Sequence, residues 1–215
     1  MIIQMFIEDG SFNVSGYLSF LMVAFFAFAY HEFAHAWVAD RLGDPTPRAN
    51  GRLTLNPIPH IDATGFILLA LFGFGWASTP VSPHLLRGNP RQSYAMVAVA
   101  GPLANLVMAL LFALAFRLSI MLSLNIDWVY TFLNIGVWLN CLLMIFNLLP
   151  VPPLDGFSIL LGILPSEMAY QLAPLRQYGM LVFLGIFFIL PMLNIHLFGG
   201  IIGYSFTIAR FLTGI

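Results

Sequence analysis

Long apolar segments dominate the sequence and leave few folds open to it. They cover residues 14–39, 94–118, 128–149, 175–192 and 196–213. A helix needs about 20 apolar residues to cross the hydrocarbon core of a bilayer. Only 8% of the residues are charged and the mean hydropathy is +0.91, whereas a soluble domain has roughly 25% charged residues. The sequence therefore predicts an all-α polytopic membrane protein that contacts a lipid bilayer.

Residues 63–83 (ATGFILLALFGFGWASTPVSP) form a further apolar stretch of a different kind. The apolar part is short and breaks into glycine, serine, threonine and proline. This pattern predicts a short re-entrant helix followed by a β-hairpin, because the apolar run is too short for a full crossing. Irregular backbone at membrane depth must be buried in protein or face a watery cavity. We therefore expect about five to six membrane segments in total.

The positions of the arginines indicate the direction of these segments. Five of them follow either the first apolar segment or residues 63–83, namely Arg41, Arg48, Arg52, Arg87 and Arg91. If residues 63–83 do not cross, all five lie on one side, which the positive-inside rule makes cytoplasmic. Arg117 falls on the opposite side and departs from the rule. The pattern predicts a multi-pass protein of the cell membrane.

The first apolar segment contains three ionisable residues in the motif HEFAH, residues 31–35. His31 and His35 are four residues apart, which places them one turn apart on the same face of a helix. In zinc hydrolases this HExxH spacing lets two imidazoles bind one ion while the glutamate, here Glu32, acts as general base. An ionisable residue at the centre of a span costs roughly 2.5–3.5 kcal/mol. Three together therefore favour a metal site over a polar helix interface.

A catalytic zinc ion usually has three protein ligands and one water, so a third ligand is needed. Asp155, in the sequence LDG, follows the segment 128–149 and is the favoured candidate. The topology inferred from the arginines places it at a depth similar to that of His35, on the cytoplasmic side. The alternative is that Asp155 caps a helix that starts near Gly156. The remaining histidines are His60, His84 and His196.

Three motifs together resemble the site-2 protease family of intramembrane zinc metalloproteases. They are HEFAH, AGPLANL and NLLPVPPLDG. The segment GRLTLNPIPHIDATG is similar to the short members of that family, which lack PDZ and CBS domains. The resemblance covers about residues 20–165, and it implies an intramembrane zinc endopeptidase.

The resemblance also implies a set of functional residues. One zinc ion per chain would be bound by His31, His35 and Asp155. Glu32 would be the catalytic residue that activates a water molecule. Asn147 matches a position that contacts the substrate backbone, and Asn105 matches a position near the active site, so both are expected to bind the substrate.

We therefore predict a single domain over residues 1–215, with a core at about 14–165 and C-terminal helices at 175–213. Its predicted activity is the hydrolysis of peptide bonds within or near the transmembrane segments of membrane-protein substrates. The net charge of −1 gives no indication of nucleic-acid binding, and the sequence leaves the oligomeric state open. The alternatives are a zinc or proton transporter, for which internal repeats would be typical, and a catalytically inactive membrane scaffold.

Overall fold

The computed structural model describes residues 6–8, 11–73, 75–124, 126–194 and 197–215, and these residues are mostly helical. The α-helices are α1 Val14–Arg41, α2 Thr46–Ala49, α3 Ala63–Phe72, α4 Pro90–Met121, α5 Asp127–Asn147, α6 Asp155–Ile163, α7 Ser166–Leu172, α8 Gly179–Leu184, α9 Leu190–Met192 and α10 Leu197–Thr213. Two short strands, β1 Ile7–Glu8 and β2 Ser11–Phe12, pair in antiparallel orientation. Shorter helical turns lie at Ile58–His60, Pro83–Leu85, Ala173–Tyr178 and Gly185–Ile189.

Three of the helices, α1, α4 and α5, are long and apolar enough to cross a membrane. Each of the three packs against the other two. The residues buried between them include Phe20 and Val23 of α1, Ala109 of α4, and Val137 and Cys141 of α5. The prediction of a helical membrane protein is therefore confirmed, and its first three long apolar segments correspond to these helices.

The two C-terminal segments predicted as spans differ from this pattern. Residues 173–192 comprise a 3-10 turn, α8, a π-helical turn and α9, and α10 has 17 residues. Pro174 and Pro191 lie in the interrupted stretch, and proline removes a backbone donor that a regular helix needs. The prediction of five to six membrane segments is therefore confirmed for three of them.

Residues 63–83 contain a short helix, as predicted, but no strand is assigned to them where the chain is described. Asp62 caps α3 by accepting a hydrogen bond from the Gly65 N–H at 2.7 Å, and Gly73 ends the helix with a φ of +80°. At ten residues, α3 is too short to cross a bilayer. The following residues, 75–82, are irregular, and side chains hold them in place. The β-hairpin is therefore not confirmed.

Two hydrogen bonds fix the irregular segment against the end of α1. The Ser82 N–H donates to Asp44 Oδ2 at 2.7 Å, and the Thr79 hydroxyl donates to the Glu32 carbonyl at 3.0 Å. Asp44 is fully buried, and its other carboxylate oxygen accepts from the Thr46 N–H at 2.9 Å. A buried carboxylate with both oxygens bonded to backbone donors holds a loop firmly. Residues 75–82 are therefore kept beside HEFAH.

The buried face of α1 continues from the core into the motif HEFAH. Phe20, Ala24, Ala27, His31 and His35 are all buried and recur every three or four residues along the helix. This spacing places them on one stripe. The alanines have small side chains, so α4 and α5 approach α1 closely along the stripe. The same packing that forms the core therefore directs both imidazoles inward.

The chain reverses after α5 and brings α6 against α4. A Cβ added to Gly156 would lie 2.3 Å from the carbonyl oxygens of Leu148 and Leu149, so only glycine fits at that point. A Cβ added to Gly162 would lie 2.3 Å from the Cβ of Ala95 in α4. These two close approaches fix the start of α6, and with it the position of Asp155.

Arg117, which departs from the positive-inside pattern, has a structural role. Its guanidinium donates to the carbonyl oxygens of Leu212 at 2.7 Å and Phe211 at 3.2 Å. These carbonyls lie in the last turn of α10, where a helix leaves its C=O groups without partners. A cation is also favourable at that end of the helix dipole. Arg117 therefore caps α10, which explains an arginine on the less basic side.

Candidate metal centre

His31 and His35 form the centre of the site. Their Nε2 atoms are 3.0 Å apart and their rings meet edge to face, with centroids 4.6 Å apart. Both residues are 8% exposed. One helical turn separates them, so a helix can aim both nitrogens at one point. The structure therefore brings together the two histidines of HEFAH.

Asp155 completes the group from α6. Its Oδ2 lies 3.0 Å from His31 Nε2 and 3.3 Å from His35 Nε2. The alternative role, capping of α6, does not hold: Leu154 occupies the N-cap position and no side chain caps this helix. The three ligand atoms lie within 4.8 Å of one another. The carboxylate of Asp155 therefore faces the imidazoles and not the helix end.

The outer nitrogens of the two imidazoles determine where their protons lie. His31 Nδ1 is 2.6 Å from Asn105 Oδ1, and His35 Nδ1 is 2.8 Å from the carbonyl oxygen of Val97. Both partners are hydrogen-bond acceptors, so each Nδ1 carries the proton and donates it. The Nε2 atoms are then left with lone pairs, which is the tautomer that binds a metal.

This arrangement of electron-pair donors is typical of a cation-binding site. Two Nε2 lone pairs and the buried Asp155 Oδ2, which accepts no hydrogen bond from any described residue, point at one another. A single proton can be shared by only two of these atoms, whereas a metal ion can accept an electron pair from each of the three. Two imidazoles and one carboxylate are a known ligand set of catalytic zinc, which keeps a fourth position open. The residues present therefore fit a zinc ion.

Gly101 of α4 forms the wall behind the ligand atoms. A Cβ added there would lie 2.5 Å from the Nε2 atoms of both His31 and His35. No side chain can occupy this position without displacing the imidazoles. The glycine of AGPLANL is therefore required by the space that the metal ligands need, in addition to helix packing.

A cavity of about 190 Å³ opens in front of the ligands. Glu32, at 6% exposure, lines it together with Asn147 and the irregular residues Ala77, Ser78 and Thr79. The candidate base and one candidate substrate-binding residue therefore share one space with the ligands. That space is large enough to hold a peptide bond and a water molecule.

Asn105 lies beside the centre, on the far side of His31 from the cavity. Its side chain is 1% exposed and lies behind His31, where its amide also donates to Asn140 Oδ1 at 3.1 Å. Both ends of the amide are thus bonded to protein groups, and Asn105 does not line the cavity. In this structure the Asn105 oxygen faces His31 Nδ1, and its predicted contact with the substrate stays a prediction.

His60, considered as an alternative ligand, does not join the group. It is 1% exposed, and its Nε2 is 2.8 Å from the carbonyl oxygen of Thr54. Tyr94, by contrast, lines the cavity and was not identified from the sequence. The guanidinium of Arg176 lies over its ring at 4.9 Å. A tyrosine six residues before the motif AGPLANL carries no distinctive signal in the sequence.

Comparison with known proteins gave two kinds of match. The family model described as peptidase family M50 matches residues 118–192, which include Asp155. The chain is 39% identical over 184 residues to "Putative zinc metalloprotease YwhC" of Bacillus subtilis, covering 78% of this chain and 82% of that protein. It is 35% identical over 179 residues to "Putative zinc metalloprotease Rip2" of Mycobacterium tuberculosis, covering 79% and 66%. No solved structure gave a significant match.

The close approach at Gly101 leads to a testable prediction. Gly101→Ala should lose the bound metal, because the added methyl group occupies the space beside both Nε2 atoms. Metal content of the purified protein, measured by elemental mass spectrometry, provides the test. The matched control is Gly200→Ala, since an added Cβ at Gly200 meets nothing within 4 Å. Full metal content in both variants would contradict the proposed position of the ion.

Proposed function

The chain belongs to peptidase family M50, the site-2 proteases, and is a membrane zinc metalloprotease; we propose that it hydrolyses peptide bonds of membrane-spanning substrates at the centre described above. The observation that carries the proposal is the convergence of His31, His35 and Asp155 beside Glu32 in one cavity. In this assignment the first three residues hold one zinc ion and Glu32 is the catalytic base. We propose that residues 1–215 form one domain, with a core at about 14–165 and C-terminal helices at 175–213.

The side chains divide the reaction between them. A zinc ion held by the three ligands would act as a Lewis acid that acidifies water and polarises the scissile carbonyl. The Glu32 carboxylate accepts a proton from the attacking water and then donates it to the leaving amide nitrogen. Asn147 lines the same cavity, where its amide can hydrogen-bond to the substrate backbone. The buried position of Glu32 beside the ligands supports its role as the base.

The substrate class follows from where the centre lies. His35 is six residues before the end of α1, which is about 9 Å along the helix axis. A peptide bond that reaches this depth belongs to a segment within the membrane or close to its surface. In a helix such a bond is shielded by its own hydrogen bonds, so the segment must unwind before it is cut. We propose that the substrate is a transmembrane helix that unwinds locally.

Residues 75–82 are proposed to receive the unwound segment. Ala77 and Ser78 line the cavity, and Ser78 is exposed. Within the described chain, no backbone hydrogen bond joins residues 77–81 to another segment. An extended peptide can pair with such free backbone groups, as in β-strand addition. Pairing there would place a substrate bond beside Glu32, since Thr79 is bonded to the Glu32 carbonyl.

The orientation in the membrane rests on the arginines. Five of them lie between the last turn of α1 and the first turn of α4. The positive-inside rule assigns this end of the bundle to the cytoplasm. We propose a multi-pass protein of the cell membrane whose catalytic centre opens toward the cytoplasmic side.

Replacement of the proposed base, Glu32, distinguishes a protease from a catalytically inactive membrane scaffold. Glu32→Gln should keep its zinc but cleave a model transmembrane substrate about 100-fold more slowly or worse, because general acid–base catalysis contributes about 10²–10⁴-fold. Cleavage is followed in detergent or in vesicles, and zinc content is measured on the same samples. Glu167→Gln is the control, since Glu167 is exposed on α7. A Glu32→Gln variant with the wild-type rate would refute the assignment.

Proline substitutions test the pairing of the substrate with residues 75–82. Adjacent N–H groups of an extended chain point to opposite sides, so only one of Ala77→Pro and Ser78→Pro should remove a donor used by the substrate. One lost hydrogen bond of about 1 kcal/mol corresponds to about a fivefold lower kcat/KM. Ser78→Ala keeps the N–H and should cleave normally. If both proline variants fold, contain zinc and keep the wild-type kcat/KM, pairing of the substrate with residues 75–82 is excluded.

A further inference from the structure

We propose that Asn140 of α5 is a positioning residue of the zinc centre. Acting through Asn105, it determines which nitrogen of His31 carries the proton. Asn140 touches neither the ligand atoms nor the cavity. The proposal rests on His31 being a zinc ligand, and it adds a residue of α5 to a centre whose other residues come from α1, α4 and α6.

A line of hydrogen bonds connects Asn140 to the metal ligand. His31 Nδ1 lies 2.6 Å from Asn105 Oδ1, Asn105 Nδ2 lies 3.1 Å from Asn140 Oδ1, and Asn140 Nδ2 lies 2.8 Å from the carbonyl oxygen of Gly136. Asn140 is fully buried, and Asn105 is 1% exposed. Water therefore cannot replace any of these contacts, and each group depends on its protein neighbour.

The donor and acceptor in each of these hydrogen bonds follow from the last group in the series, the Gly136 carbonyl. The Gly136 carbonyl can only accept a hydrogen bond, so Asn140 must turn its NH₂ group toward it. The oxygen of Asn140 then faces Asn105, which must present its own NH₂ group. That leaves the oxygen of Asn105 for His31, so the imidazole must donate from Nδ1. A backbone carbonyl on α5 thus determines that the Nε2 of His31 keeps its lone pair for the metal.

Comparison of the two histidines explains why His31 needs this support. The Nδ1 of His35 faces the backbone carbonyl of Val97, which is held by α4 and is always an acceptor. The Nδ1 of His31 faces a side-chain amide, and an amide can rotate by half a turn to present NH₂ in place of oxygen. That rotation would move the proton of His31 to Nε2 and block the metal. Asn140 prevents the rotation, because it would bring two oxygens together in a buried site.

The test compares Asn140→Leu with wild type. The leucine fills a similar volume but lets the Asn105 amide rotate. Zinc affinity, measured by competition with a chelator, should fall by about 10- to 100-fold, as is typical when a partner of a metal ligand is lost. Asn134→Leu is the matched control, since Asn134 is an exposed residue of the same helix. Equal zinc affinity of Asn140→Leu and wild type would overturn the proposal.

Asn140→Asp is the conservative variant and should keep wild-type zinc affinity. Burial beside a carbonyl acceptor favours the neutral form of a carboxyl group, which can donate to the Gly136 carbonyl while its other oxygen accepts from Asn105. A merely structural role would not distinguish aspartate from leucine in this way. An aspartate variant that binds zinc as poorly as the leucine variant would contradict the proposed direction of the hydrogen bonds.

A double-mutant cycle separates action through Asn105 from a general effect on packing. Because Asn140 acts only through Asn105, Asn105→Leu and the double variant Asn105→Leu/Asn140→Leu should bind zinc with equal affinity. Additive losses would show that Asn140 acts by another route, and would overturn the proposal.

Spectroscopy of the wild type provides a readout that needs no variant. In metal-free protein with neutral imidazoles, ¹⁵N NMR of labelled histidine should show the His31 proton on Nδ1. A proton on Nε2 would overturn the proposal even if every variant failed to fold. Failure of the wild type to bind zinc at all would instead refute the proposed function, so the two failures are distinguishable.

Discussion

The structure depends on three electron-pair donors that converge inside an apolar helix bundle. The Nε2 atoms of His31 and His35 and the Oδ2 of Asp155 lie about 3 Å from one another. Burying such groups without a partner is costly, and a shared divalent cation removes that cost for all three. The surrounding helices can therefore be understood as the support of a single metal ion.

Each helix around the candidate metal site constrains its geometry. α1 presents both histidines on the stripe that also forms the core, and α4 leaves space for them at Gly101 while the Val97 carbonyl orients one ring. α6 begins with Asp155, the third candidate ligand, because Gly156 lets it pack directly on the turn after α5. The candidate ligands thus come from elements held by close helix–helix packing. Such preorganisation favours a precise site.

The sequence alone predicted much of the centre, and the physical reason is clear. HExxH carries its own geometry, since residues four apart share one face of a helix. Asp155 was favoured as the third ligand from the direction of the spans, because the positions of the arginines indicate the cytoplasmic side, and the structure brings it beside both histidines. The three long helices were predicted for a similar reason, since their length and composition match the bilayer.

What the sequence could not predict depends on contacts between distant segments. The Val97 carbonyl that orients His35 is backbone, so no residue type signals it. The sequence has asparagines at 105, 134 and 140 in its long apolar segments, and only packing decides that Asn105 contacts His31 while Asn134 is exposed. The irregular course of residues 75–82 depends on the buried carboxylate of Asp44, which no local pattern reveals.

The most direct test of this account is the zinc content of purified protein in the wild type, His35→Ala and Asp155→Ala. Zinc should be present in the wild type and absent from both variants, since each removes one of three ligands that bind a single ion. Asp62→Ala, which removes only the cap of α3, should keep its zinc. Zinc retained at the wild-type level in Asp155→Ala would contradict the three-ligand centre on which the account depends.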